Sequence, residues 1–205
     1  TKLTHINYAF ANIGEDLKIS LGDPYIDYFN IMKLNDLRLI NSNIKILISV
    51  GGWTWSDKFS DVALTEESRN IFADSCLEFI KIFGFDGIDI DWEFPVTGGL
   101  ATNKYRLEDK ENFTLLLKAI RQKLDEQSLI DGRNYLLTIA GSAGTIGVEN
   151  LELEEIHKYI DFANVMTYDF HGSWDKYTDF NSPLYTNTDS LNYYKPSIDE
   201  SIKSW

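Results

Sequence analysis

Hydrophobic positions along the 205-residue chain fall into two alternating patterns. Short runs rich in β-branched and aromatic residues predict strands: THINYAFANI (4–13), IKILISV (44–50), FDGIDIDWE (85–93), YLLTIAG (135–141) and FANVMTYDF (162–170). Between them apolar residues recur at helical spacing over 26–41, 65–83, 108–127 and a short stretch at 151–159. The second of these opens on Thr65-Glu66-Glu67-Ser68, read as an N-terminal capping box, and carries the single Cys76 at a packing position. No repeat, low-complexity tract or Pro/Gly/Ser linker divides the chain, so residues 1–205 read as one domain. Repeated strand, loop and helix predicts an α/β fold with a parallel sheet covered by helices.

Polar residues decide between an open doubly wound sheet and a closed barrel. Each strand runs into unusual side chains at its carboxyl end: SVGGWTW, DIDWEFP, IAGSAG, MTYDFHGSW. Chemistry gathered at the carboxyl ends of several strands is the habit of (β/α)8 barrel enzymes. A dinucleotide-binding sheet would need a GxGxxG turn, and Val50-Gly51-Gly52-Trp53-Thr54-Trp55 lacks that spacing.

Composition narrows the partners. With 43% hydrophobic and 14% aromatic residues the chain is globular, and 19 Lys and Arg against 32 Asp and Glu give a net charge of −13. Such a surface repels nucleic acid and anionic membranes, so neither is expected as a partner. One cysteine excludes an internal disulfide, and His5, His157 and His171 show no metal-ligand spacing; they read as a core, a surface and a loop residue. No metal and no cofactor is expected.

The chemistry concentrates in GFDGIDIDWEFP, residues 84–95. Side chains alternate along a strand, so Asp89, Asp91 and Glu93 share one face while Ile88, Ile90 and Trp92 share the other. Neither the interior of a barrel nor its helix layer solvates charge well, and stability alone would not select this row. Desolvation and like charge both raise a carboxyl pKa, which suits a general acid, and Glu93 at the strand's end is best placed for that task. An exposed edge strand would also carry such residues, but the flanks FIKIFGF and WEFP are apolar. A calcium loop would need Gly at its sixth position and Glu at its twelfth, and both are missing. Carboxylates beside aromatic residues fit glycoside cleavage, because sugar faces stack on rings.

Asp86-Gly87-Ile88-Asp89-Ile90-Asp91-Trp92-Glu93 resembles the DxxDxDxE signature of glycoside hydrolase family 18, the chitinases and their relatives. Ser49-Val50-Gly51-Gly52-Trp53 is similar to that family's SxGG motif, and Met166-Thr167-Tyr168-Asp169 to its MxYD motif, in the family's order. The resemblance implies that Glu93 protonates the glycosidic oxygen while the substrate's own N-acetyl carbonyl attacks, with retention of configuration. It implies that Asp91 orients the acetamido group, that Asp89 shares a proton with Asp91, and that Tyr168 bonds the acetamido carbonyl. It gives substrate-contact roles to Ser49 (which also holds Asp89), Trp53, Phe10, Phe94, Met166 and Asp169. Phe94 stands where the family commonly has Tyr, so a hydroxyl contact is lost and stacking remains. Asp86 fits a structural brace as well as it fits catalysis, Gly51 and Gly52 fit a backbone turn as well as ligand contact, and Phe10 and Met166 taken alone read as core.

Compared with the family, the chain matches strands two to six of the barrel with their helices, and the first, seventh and eighth have no counterpart. It is therefore expected to be a partial catalytic domain, weak in catalysis by itself, with 172–205 the least well packed segment. The substrate implied is chitin or N-acetylglucosamine oligosaccharides. Another glycan- or peptidoglycan-directed hydrolase of the family, or a lectin-like binder, is the alternative. Secretion is expected from the polymeric substrate, and oligomeric state is not legible.

Overall fold

The computed structural model describes residues 2–205. Five strands run parallel: β1 (His5–Ile13), β3 (Lys45–Gly51), β4 (Gly87–Asp91), β5 (Leu136–Ser142) and β6 (Phe162–Met166). A sixth, β2 (Ile19–Leu21), returns antiparallel beside β1, giving the sheet order β2-β1-β3-β4-β5-β6. The helices are α1 (Pro24–Asp36), α2 (Phe59–Leu64), α3 (Glu66–Phe83), α4 (Asp109–Asp131), α5 (Thr145–Glu149), α6 (Leu153–Ile156) and α7 (Ile198–Ser204).

The five parallel strands coincide with the five predicted from alternation, whereas β2, α2 and α5 are too short to print a period. β6 ends at Met166 rather than near 170, because Thr167 N–H bonds the Val165 carbonyl (2.8 Å) and Asp169 turns the chain at φ 55°. Residues 167–197 then carry no helix or strand. They are tied back by Ser182 Oγ on the Thr167 carbonyl (2.5 Å) and Phe170 N–H on the Asn181 carbonyl (3.0 Å).

Side-chain alternation builds two unlike faces. Ile46, Ile48 and Val50 of β3, Ile88 and Ile90 of β4 with Trp92 after it, and Leu137 and Ile139 of β5 pack under α3 and α4 in one buried cluster. Trp92 stacks on Phe59 (5.5 Å) and meets Phe113 edge-on (5.4 Å). Each such aliphatic side chain withdrawn from water contributes roughly 1.5–3 kcal/mol, and this cluster fixes the strand register. The other face carries Ser49, Asp89 and Thr138 in register across β3, β4 and β5.

That second face is concave. β1 and β6 lie four strand spacings apart, roughly 19 Å in a flat sheet. Yet the rings of His5 and Phe162 are 5.3 Å apart at 80°. The sheet is curled into an arc of a (β/α)8 barrel with its interior row inside the curve. His5 belongs to this row and is exposed, not a core residue, because it begins β1 at the open rim of the curve.

Two local devices hold the strand that bears the carboxylates. α3 starts on Thr65, whose Oγ1 accepts from Ser68 N–H (3.1 Å) while Ser68 Oγ accepts from Thr65 N–H (3.0 Å). It ends at Gly84 with φ 73°, a left-handed cap that only glycine adopts cheaply, and the chain turns straight into β4. Asp86 then accepts from Ile46 N–H (2.9 Å) and pairs with Arg38 (2.6 Å) and Arg133 (3.5 Å). It faces the amino end of the sheet, and its contacts are those of a brace.

Candidate active site

The site lies where the concave face meets the carboxyl ends of β3, β4 and β6. Asp89 and Asp91 are the inward residues of β4, 3% and 6% exposed, and Glu93 follows the strand half-buried. Asp89 accepts three hydrogen bonds, from Ser49 Oγ (2.7 Å), Thr138 Oγ1 (2.5 Å) and Asn164 Nδ2 (3.2 Å). Asp91 is treated differently by its surroundings: its Oδ1 is buried without a hydrogen-bond partner. Burial, then the nearby charges of Glu93 and Asp89, push the Asp91 carboxyl up to about 8. Burial, then Asp169, raises that of Glu93. The row therefore holds at least one proton at neutral pH, which an exposed acidic strand would not.

The main chain of Glu93 is clamped from two sides. Ser56 Oγ accepts from Glu93 N–H (2.9 Å), and its own hydrogen lies between the carbonyls of Gly52 (2.8 Å) and Asp91 (3.1 Å). Asn103 Nδ2 donates to the Glu93 carbonyl (2.9 Å), and Gly99 approaches the same carbonyl so closely that a Cβ would sit 2.0 Å from it. Gly51 and Gly52 take φ of 100° and 71°, and Gly52 lies against the Phe10 ring, where an added Cβ would be 2.7 Å from Cζ. Here glycine serves both the turn and the close approach of the ring.

From the last strand come Met166, half-buried and paired in register with Ser142, and Tyr168 and Asp169 just beyond it, both exposed. Burial raises the Tyr168 hydroxyl, and Asp91 and Glu93 raise it further, which places it in the same electrostatic neighbourhood. Asn181 Nδ2 donates to Asp169 (2.9 Å) and fixes it. Trp53 stands half exposed after the Gly51-Gly52 turn, and Phe94, beside Gly98, is half-buried. Ser49 is 3% exposed with its hydroxyl on Asp89, so it supports the carboxylate from beneath and presents nothing to the open face.

Strand alternation groups Asp89, Asp91 and Glu93, the family resemblance adds Tyr168 and Asp169, and both pass over Ser56, Asn103, Thr138 and Asn164. Thr138 and Asn164 are marked out only by the strand pairing that sets them near Asp89, and Ser56 and Asn103 act through loops, so none of the four carries a signal in the sequence. A recess of about 590 Å³ lined by Lys110, Val148, Leu151 and the acidic run after it shares no residue with this site. Among the described residues no group of three or more His, Cys, Asp or Glu is arranged to hold a metal ion, and no helix is long and apolar enough to cross a membrane.

Comparison with known proteins identifies the family and the fold. The sequence profile described as "Glycosyl hydrolases family 18" matches residues 1–205. Chitinase A1 of Niallia circulans is 43% identical, the match covering 90% of this chain and 33% of that protein. Chitinase 1 of Aphanocladium album is 34% identical over 100% of this chain and 51% of its own length. Among solved structures, chitinase ChiA74 from Bacillus thuringiensis superposes with a TM-score of 0.92 at 34% identity, covering 99% of this chain and 41% of that one. A mutant of the Ostrinia furnacalis Group II chitinase catalytic domain 2, solved in complex with penta-N-acetylchitooctaose, superposes at 0.87 with 29% identity, covering 98% of this chain and 52% of that one. The chain spans about a third to a half of the length of the two relatives compared by sequence. A family match that runs over residues 1–205 means that the chain belongs to the glycosyl hydrolases of family 18.

Proposed function

We propose that this chain supplies the acid-bearing part of a site that hydrolyses β-1,4 bonds between N-acetylglucosamine units of chitin. The observation that carries the reading is the pairing of Glu93, raised and half-buried at the open end of the row, with Asp91, raised and buried behind it. Relatives named as chitinases, and the neighbour solved with a chitooligosaccharide, support the substrate class.

On this reading Glu93 gives its proton to the glycosidic oxygen as the bond to C1 breaks. The acetamido carbonyl oxygen of the same sugar forms the new bond at C1, so no enzyme carboxylate is spent as nucleophile. Asp91 faces the acetamido group, whose N–H it accepts as charge develops, and Tyr168 donates to the carbonyl oxygen. Trp53 and Phe94 offer ring faces for sugar, and Asp169 a polar contact. Water then opens the oxazolinium ion, with Glu93 taking the proton back.

Glu93→Gln tests this. In hydrolysis of chitooligosaccharides by the protein carrying this chain, turnover is expected to fall by roughly 100-fold or more while binding persists. Because the Glu93 carboxyl is raised, wild-type turnover is lost as pH rises through its folded-state pKa, and that alkaline limb disappears in the Gln variant. A substrate with a free amine in place of N-acetyl beside the cut is expected to resist cleavage. Turnover retained by the Gln variant would sink the acid assignment, and cleavage of the amine substrate would sink the internal nucleophile.

A further inference from the structure

Residues 167–197 carry no helix or strand, yet they return to the site at two adjacent positions. Asn181 takes the Phe170 N–H on its carbonyl (3.0 Å) and donates from Nδ2 to Asp169 Oδ1 (2.9 Å); the same nitrogen lies 3.5 Å from the His171 carbonyl. Ser182 Oγ donates to the Thr167 carbonyl (2.5 Å). These contacts span the turn that bears Tyr168 and Asp169. Asp169 is exposed at φ 55°, and among the described residues Asn181 is the one hydrogen-bond donor to its carboxylate.

An exposed amide–carboxylate bond on a free loop contributes little, because water competes for both partners and ordering the loop costs entropy. Asn181 is not on a free loop. Two residues before it, the Asp179 side chain is 2% exposed and accepts from Phe180 N–H (2.8 Å) and Asn187 Nδ2 (3.0 Å), with His171 Nε2 3.9 Å away. Two residues after it, the Pro183 carbonyl accepts from Ile198 N–H (2.9 Å), and the Leu184 carbonyl accepts from Asp199 N–H (3.1 Å). That joins the stretch to the first turn of α7. Asn181 is delivered to Asp169 by a stretch fixed at both ends, so the bond forms without a loop being ordered for it.

Glu93 feels the result. Its carboxyl is raised by burial first and by Asp169 second. The other titratable groups around it are Asp91 with Asp89 behind it on β4, and Tyr168 beside Asp169 at the end of β6. Resting on the function proposed above, we infer that Asn181 is a positioning residue that holds the Asp169 carboxylate toward both Glu93 and the sugar, so that segment 167–197 takes part in the site through one amide. Without that amide Asp169 turns out into water, where its charge is screened from Glu93 and its contact with sugar is lost.

The test is the pH dependence of chitooligosaccharide hydrolysis by the protein carrying this chain, with Asn181→Ala and with Asp169→Gly, which suits the left-handed turn and removes the carboxylate. Glu93 must be protonated to act, and withdrawing a negative neighbour lets it ionise at lower pH. The alkaline limb of kcat/KM in Asn181→Ala is therefore expected at lower pH than in wild type. On the acid side of that limb KM is expected to rise about three- to tenfold, the worth of one hydrogen bond, with kcat little changed. In the Asp169→Gly background Asn181→Ala is expected to add nothing to either. Urea unfolding midpoints are expected to stay near wild type, since Asn181 is exposed. A limb or a KM that keeps its wild-type value in Asn181→Ala overturns the proposal. So does an equal change in the Asp169→Gly background, or a loss of activity that tracks a loss of stability, because Asn181 would then only stiffen the loop. If Glu93→Gln keeps turnover while Asn181 and Asp169 remain coupled in KM, the acid assignment fails and the positioning role stands.

Discussion

At the scale of single residues, the carboxylate row carries a stability cost that pH exposes. An unfolded aspartate ionises near ~3.9, whereas Asp91 in the fold is raised to about 8. Between those values the folded chain binds more protons than the unfolded one, so stability falls as pH rises through the window. The slope reaches at most about 1.4 kcal/mol per pH unit from this one group. Asp91→Asn cannot ionise, so in urea unfolding it is expected to gain on wild type as pH rises from 5 to 8, by at most about 4 kcal/mol. Parallel stability curves for the two proteins would show that Asp91 ionises freely. This cost was legible in the sequence, since alternation alone sets Asp89, Asp91 and Glu93 against a buried row of Ile88, Ile90 and Trp92. The residues that manage it were not. A Thr or Asn in a strand is ordinary until register places Thr138 beside Asp89, and Ser56 reaches Glu93 only through a loop whose path no periodicity records.

At the scale of elements, the same division follows length. α3 spans 18 residues and β3 seven, long enough for a period to stand out, while β2 has three residues and α2 six. Short pieces are specified by partners: Ile19 N–H of β2 is taken by Ser75 Oγ of α3 at 3.1 Å, a contact 56 positions away in sequence. α3 matters to the site because its C-terminal turn at Gly84 delivers the chain into β4. Its start is set by the reciprocal Thr65 and Ser68 bonds, and Thr65→Ala is expected to cost about 1 kcal/mol in thermal or urea unfolding. Ser68→Ala, which removes the returning half of the box, should cost less. Equal stability of wild type and Thr65→Ala would mean that packing of Phe72, Cys76 and Ile80 alone fixes this terminus.

At the scale of the whole molecule, the acidic strand is held from its amino end, and Asp86 shows how. Sequence left it divided between catalysis and bracing, because the DxxDxDxE spacing treats it like its neighbours. Its position resolves this: Asp86 Oδ2 takes Ile46 N–H of β3 and the Arg38 guanidinium, its N–H meets the Ile46 carbonyl, and its carbonyl accepts from Leu136 N–H of β5. One residue thus joins three consecutive strands of the arc below the point where Asp89 and Asp91 turn inward. Arg38 is largely buried and Arg133 half exposed, so solvent screens the second pair more than the first. Removing the carboxylate strands a buried N–H and the Arg38 charge, and Asp86→Ala is expected to cost about 2–4 kcal/mol in urea unfolding. Asp86→Asn keeps an acceptor for Ile46 and should lose roughly half as much. Neither change should move the titration of Asp91 in the folded protein, since Asp86 is absent from the charges that raise it. A displaced Asp91 midpoint in folded Asp86→Asn would show that the brace and the proton-holding row act as one electrostatic unit.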